Sequence, residues 1–189
     1  MQVLKFGGSS VADAQNMSKV VDIVIKAVDR DRTILVVSAI SGCTDTLIKI
    51  GTLASERDES YKTLIDKLQQ RHHDIINELL PREKQNESLA VCDSLFDSLR
   101  SITQGVFLLG ELSPASLDAI QSFGELWSTK ILATKLASIG ISTKWIDSRQ
   151  IIRTVAKGDK NIVDVQKTYA RVNEMLESNP ITQLFVLPG

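Results

Sequence analysis

Three stretches of this sequence combine small residues, hydroxyls and single charges at spacings suited to anion chemistry. The first is Lys5-Phe6-Gly7-Gly8-Ser9-Ser10. Adjacent glycines permit positive φ and let backbone N–H groups approach an anion without a Cβ in the way. Ser9 and Ser10 are expected to lead into a helix whose N-terminus offers unpaired donors and roughly half a positive charge. Lys5 can extend its ammonium group over the same place, so the run suits a polyphosphate. Its spacing matches neither a Walker A loop nor G-x-G-x-x-G. The same residues also make a plain glycine-rich turn with a surface lysine.

The second stretch, Ser38-Ala39-Ile40-Ser41-Gly42-Cys43-Thr44-Asp45, repeats the design. Small residues and hydroxyls precede a helix, with Thr44 or Asp45 placed to cap it. The alternative is simply a well-capped helix. The third is Ser122-Phe123-Gly124-Glu125-Leu126-Trp127-Ser128, inside a helical pattern. A glycine within a helix costs about 1 kcal/mol relative to alanine, so Gly124 implies that something packs closely against it. Glu125 beside it can present a carboxylate to a ligand's ammonium group, or stay solvated like most helical glutamates.

These stretches need elements to hold them. Val3-Leu4-Lys5-Phe6 reads as a strand, residues 11–30 as a helix with Val20, Ile23, Val24, Ala27 and Val28 on one face, and residues 33–39 as a strand covered on both faces. That is a βαβ unit with parallel strands. In a parallel sheet ligands gather at the carboxyl ends of strands, so the first two turns are expected to face one crevice. Residues 56–103 read as two charged helices separated near Pro81, an insertion standing off the sheet. Ser113 and Pro114 start another helix, which Gly140 ends. A strand over 143–146, a helix over 164–177 and a strand over 182–187 follow. The fold class is therefore α/β, a parallel-sheet αβα sandwich. Because Pro188-Gly189 falls at the tip of a buried strand, more of the same domain is expected beyond it.

Composition narrows the function classes. A net charge of −1 over 189 residues argues against a broad attraction to nucleic acid or anionic membrane. No apolar run is long enough to span a bilayer, and residues 1–6 read directly as a strand rather than a targeting segment. Cys43 and Cys92 lie far apart and form no ligand-spaced pair, as expected of free thiols in a reducing cytoplasm. His72 and His73, adjacent on a helix, point about 100° apart and do not chelate; they read as surface or partly packed residues. Arg149 and Arg153 read as partners of carboxylates, and Trp127 and Trp145 as core.

Taken in order and spacing, residues 5–10, 37–45 and 122–128, with the later Trp145-Ile146-Asp147-Ser148-Arg149, resemble the aspartate kinase family within the amino-acid kinase fold. The resemblance covers essentially the whole chain, as the N-terminal part (1–189) of one kinase domain. It implies transfer of the ATP γ-phosphoryl group to the β-carboxylate of L-aspartate, giving 4-phospho-L-aspartate. It further implies that Lys5 neutralises the transferring group, while Gly7, Gly8 and Ser9 cradle phosphates. Ser38 and Thr44 would hydrogen-bond aspartate, and Glu125 would bind its α-ammonium group. Mg²⁺ would be held mainly by the nucleotide phosphates, and no protein metal ligands are expected. The family's Gly-Arg-Gly-Gly-Ser-Asp-type segment does not occur before Gly189, so half an active site and no activity alone are expected. The parent is expected to be a homo-oligomer with C-terminal regulatory domains, with or without a fused homoserine dehydrogenase. Two alternatives stay open: another amino-acid kinase, phosphorylating glutamate, acetylglutamate, carbamate or a nucleotide, and an inactive binding fragment. A free α-amino group on the substrate, which Glu125 suits, separates aspartate or glutamate from acetylglutamate and nucleotides.

Overall fold

A computed structural model describes residues 1–157 and 160–189. The chain forms β1 (Gln2–Phe6), α1 (Ala14–Val28), β2 (Thr33–Val37), α2 (Cys43–Ser55), α3 (Ser60–Leu79), α4 (Arg82–Leu109) and α5 (Pro114–Ser138). There follow β3 (Thr143–Trp145), α6 (Ser148–Ile151), β4 (Thr154–Lys157), β5 (Lys160–Val163), α7 (Val165–Glu177) and β6 (Leu184–Pro188). The main sheet has the order β1-β2-β6-β3 and every neighbouring pair is parallel. No helix among the described residues is long and apolar enough to cross a membrane.

Alternation along the strands divides the core between the two faces. Leu35, Val37, Leu184 and Val186 pack with apolar residues of α1, α2 and α5. Their chain neighbours Phe185 and Leu187 face the other way, against Ile151 and Met175 of α6 and α7. All five residues of β6 are buried, which explains the unbroken apolar run that marks this central strand. On α1 the buried stripe is Met17, Val20, Val21, Val24 and Ala27, while Ile23, expected inside, is exposed. The rest of the expected face holds: Val20, Val24 and Ala27 are buried and Val28 packs against the core.

The start of α5 follows from its sequence: Ser113 Oγ accepts the Ser116 N–H and Pro114 occupies the first turn. Gly140, at φ +90°, takes the left-handed turn just past its end. Pro81 separates α3 from α4, and α4 continues to Leu109 rather than 103. This helical hairpin packs on α1, α2 and α5. Its Tyr61, Ile65, Phe96 and Leu99 belong to the same buried cluster as the sheet residues Leu35 and Val37, so it is a further layer of the core. The β4–β5 hairpin, paired from Thr154↔Val163 to Lys157↔Lys160, had no counterpart in the sequence reading. Its strands are short, and every residue of β4 is exposed, so no buried stripe marks it.

The two adjacent histidines diverge as their helical offset requires. His73 is half-buried and its Nε2 lies 2.6 Å from Asp93. His72 is not a surface residue: it is fully buried, 4.8 Å from the Trp127 ring and 5.6 Å from Phe96. Its Nδ1 lies 2.7 Å from the Leu68 carbonyl, which makes Nδ1 the protonated nitrogen. Nε2 has no partner among the described residues. Burial pulls this imidazole down to about 4. Above pH 6.5 the group is neutral in both folded and unfolded chains and contributes nothing to pH dependence. Between pH 6.5 and about 4 the unfolded chain takes up the proton first, so stability falls as pH drops, by about 3 kcal/mol in all. Urea midpoints measured across this range should show that fall in the wild type and a shallower one in His72→Phe. Equal slopes for the two proteins would exclude His72 as the cause.

Candidate active site

The site is assembled where β1 and β2 end. Past Phe6 the chain runs extended through Gly7 (φ −81°, ψ 172°) into a short 3₁₀ turn at Gly8–Val11. Neither Gly7 nor Gly8 uses a positive φ, contrary to the conformational reason expected for them. What they provide is space. A Cβ on Gly8 would stand 2.8 Å from the Ala39 carbonyl oxygen and 3.4 Å from the Ser41 nitrogen, so only glycine lets the first turn sit on the second. A Cβ on Gly7 would meet nothing within 4 Å, leaving its backbone open to approach. The N–H groups of Gly7, Gly8 and Ser9 have no backbone acceptor among the described residues. The turn does not run directly into α1, as the sequence had implied. Asp13 caps that helix, accepting the Asn16 N–H at 2.8 Å, so its positive end is already occupied by a carboxylate.

The second turn lacks such a plug. Gly42, at φ 74°, is the cap residue of α2 and supplies no side chain; Thr44 and Asp45, expected as caps, lie inside the first helical turn and are exposed. The Cys43 and Thr46 N–H groups are bonded to the carbonyls of Ile40 and Gly42. Those of Thr44 and Asp45 have no partner among the described residues. A long helix therefore presents open donors together with the Thr44 hydroxyl.

α5 meets this turn closely. At Gly124 a Cβ would lie 2.7 Å from the Ala39 Cβ and 3.3 Å from the Cys43 sulfur, which is the close packing its sequence implied. Ser128 Oγ donates to the Ser38 carbonyl at 2.8 Å, and the Ser38 N–H donates to Phe6 at 3.0 Å. Half-buried Ser38 is thus fixed between β1 and α5. Glu125 is also half-buried; desolvation raises its carboxyl above the usual range, and its charge is felt by the Cys43 thiol. Cys43 itself is fully buried and pushed up to about 12 by burial, which keeps it a neutral thiol rather than a nucleophile.

Lys5 stands apart from this group. Leu4 and Phe6 pack against the main core, so alternation sends Lys5 to the opposite face of the sheet, where it is exposed and in register with Val36. A cavity of about 640 Å³ opens beside Val36 on that face, lined also by Arg149, Arg153, Leu187 and Gly189. Arg149 pairs with Asp147 at 2.7 Å, holding that carboxyl below its usual range, and reaches Ser122 Oγ of α5 at 3.2 Å. Trp127 is core as expected, while half-buried Trp145 carries Lys130 at 3.7 Å over its ring. The geometry thus brings Gly8, Ser38, Thr44 and Glu125 around one turn, with Lys5 at the neighbouring strand end on the other face.

One contributor was absent from the sequence reading. Arg71 of α3 donates to the Ser41 carbonyl through one terminal nitrogen and to the Ala12 carbonyl through the other, each at 2.9 Å. Nothing in a charged helical segment distinguishes this arginine; only the fold puts it beside the turns.

Comparison with known proteins agrees with the architecture. The model of the amino acid kinase family matches residues 1–187. The bifunctional aspartokinase/homoserine dehydrogenase 2, chloroplastic, of Arabidopsis thaliana is 27% identical over 180 residues, covering 94% of this chain and 19% of that protein. Aspartokinase 1, chloroplastic, of the same plant is 32% identical over 151 residues, 79% of this chain and 26% of that protein. Among solved structures, E. coli aspartokinase III in complex with aspartate and ADP superposes with a TM-score of 0.84 at 24% identity, over 100% of this chain and 40% of that one. The chain thus spans about a fifth to two fifths of these relatives' lengths. With its parallel sheet, its two strand-end turns and a family match over nearly its whole length, the chain belongs to the amino acid kinase family.

Proposed function

We propose that this chain supplies part of the active site of an aspartate kinase, which moves the γ-phosphoryl group of ATP onto the β-carboxylate of L-aspartate. The observation that carries this reading is the placement of Glu125 beside the open N-terminus of α2. A free amino acid is a zwitterion and needs a negative group for its ammonium and donors for its carboxylates. Glu125 is the negative group, and the raised pKa that desolvation gives it makes a cationic partner favourable. Ser38, Thr44 and the unbonded N–H groups of α2 are the donors.

Donor and acceptor in this reaction are both anions, so positioning and charge neutralisation carry most of the rate. A β-carboxylate oxygen attacks the γ-phosphorus and the bond to ADP breaks; no covalent enzyme intermediate is required. Gly7, Gly8 and Ser9 offer backbone donors to phosphate oxygens, and Lys5, on a four-carbon stem near the end of β1, brings a positive charge to the transferring group. Among the described residues no three carboxylate, histidine or cysteine side chains converge. In this reading Mg²⁺ would take most of its oxygens from the nucleotide, where it supplies positive charge. In this reading the enzyme opens lysine, threonine, methionine and isoleucine synthesis, as a homo-oligomer with further regulatory domains. Two buried free thiols fit a cytoplasmic setting, although the plant relatives' names place those enzymes in the chloroplast.

The full-length protein, given ATP, Mg²⁺ and hydroxylamine, should trap aspartyl hydroxamate; equal or better trapping with glutamate would overturn the substrate assignment. Lys5→Ala should lower turnover by about 10²–10³-fold, the range for losing one electrostatic stabiliser. A loss below about threefold would remove Lys5 from this role. Glu125→Ala should raise the KM for aspartate by about tenfold or more, as expected for a lost charged hydrogen bond, with the KM for ATP little changed. An unaltered aspartate KM would leave the ammonium group without its partner.

A further inference from the structure

We propose that Arg71 is a positioning residue that fixes the two strand-end turns relative to each other, and that this is what α3 contributes to the site. Its guanidinium holds the Ser41 carbonyl, 30 residues away in the chain, and the Ala12 carbonyl, 59 residues away, each at 2.9 Å. Ser41 belongs to the turn that opens α2, and Ala12 closes the 3₁₀ turn that follows Gly7. No carboxylate pairs with Arg71 among the described residues. A half-buried cation whose partners are two carbonyls of separate turns is a cross-link between them.

Only a planar fork with donors on two nitrogens reaches both oxygens at once; a lysine ammonium on a flexible stem does not reproduce that geometry. The bridge is rigid at its other end too. Arg71 is followed by His72, which is locked among Phe96 and Trp127, so the helix cannot turn to release the arginine without disturbing the core. The guanidinium also adds positive charge beside the site, and the thiol of Cys43 feels Arg71 and Glu125 in opposite directions.

The kinetic part of this inference rests on the phosphoryl-transfer reading, whereas the bridge itself does not. Amide hydrogen exchange in the full-length protein tests the bridge directly. The Ser10 N–H, bonded to Gly7, and the Cys43 N–H, bonded to Ile40, report the two turns. In Arg71→Met both should exchange about tenfold faster or more, while amides in the middle of α4 keep their wild-type rates. Turnover should fall by about 10–100-fold, the scale of a misplacement near 1 Å. Arg71→Lys, which keeps the charge and is the safer variant for folding, should loosen at least one turn and recover little turnover. Unchanged exchange at both amides overturns the bridge, even if activity falls. Faster exchange with unchanged turnover, or full activity in Arg71→Lys, overturns the positioning role. If the wild type forms no acyl phosphate from aspartate, the phosphoryl-transfer reading fails and the exchange rates alone judge the bridge.

Discussion

Everything at the strand ends depends on how closely two pieces of backbone approach Ala39. From one side Gly8 brings the first turn against its carbonyl oxygen; from the other Gly124 brings α5 against its Cβ. A methyl group at either glycine would stand under 3 Å from Ala39, a distance that no relaxed structure holds. In the Gly8 case the obstacle is backbone, which cannot rotate away. The two glycines therefore have a single effect, to let a strand-end turn and a helix close on the same residue. Ser38, Cys43 and Glu125 take their places from that closure, and the hydrogen bond from Ser128 to the Ser38 carbonyl fastens it.

The closure also sets the electrostatics. α1 starts with its own carboxylate cap, so its positive end is neutralised locally. α2 starts on a glycine and keeps its donors open. Of two helices beginning at neighbouring strand ends, only one is left able to receive an anion. Glu125 is held half-buried next to that helix's start. A negative group beside an open helix N-terminus would ordinarily be drawn to it, yet burial is the one influence that shifts the Glu125 carboxyl, with no hydrogen bond contributing. The pair is thus left with complementary unmet needs, a condition that an amino-acid ligand bearing both charges can satisfy.

What was legible in the sequence was local. Ser113, Pro114 and Gly140 bounded α5 correctly because caps and stops depend on adjacent residues. Strands β2 and β6 were readable because cover on both faces leaves an unbroken apolar run. Gly124 was recognised as a place of close packing because a mid-helix glycine has a known cost. What was not legible had a tertiary cause. Gly7 and Gly8 read as residues that permit positive φ, but neither uses it, and the constraint on Gly8 comes from Ala39, far off in the chain. Asp13, not the Gly-Gly turn, defines the start of α1. His72 looked like its neighbour, and only the position of α5 decides which of the two is buried.

The helical hairpin shows how a segment that reads as a charged insertion can still bear on the site. His72 sits against Trp127, three residues along α5 from Gly124. Arg71, adjacent in α3, points instead to the two turns. Consecutive residues of one helix thus bind it to the helix that presents Glu125 and to the backbone that presents the donors. The stacked pair Phe96 and Trp127, 4.0 Å apart, ties α4 into the same contact. A sheet positions its strand ends but leaves the turns beyond them to fray. Here the turns are braced from above by α3, so the accuracy of the site depends on a layer that does not belong to the sheet at all.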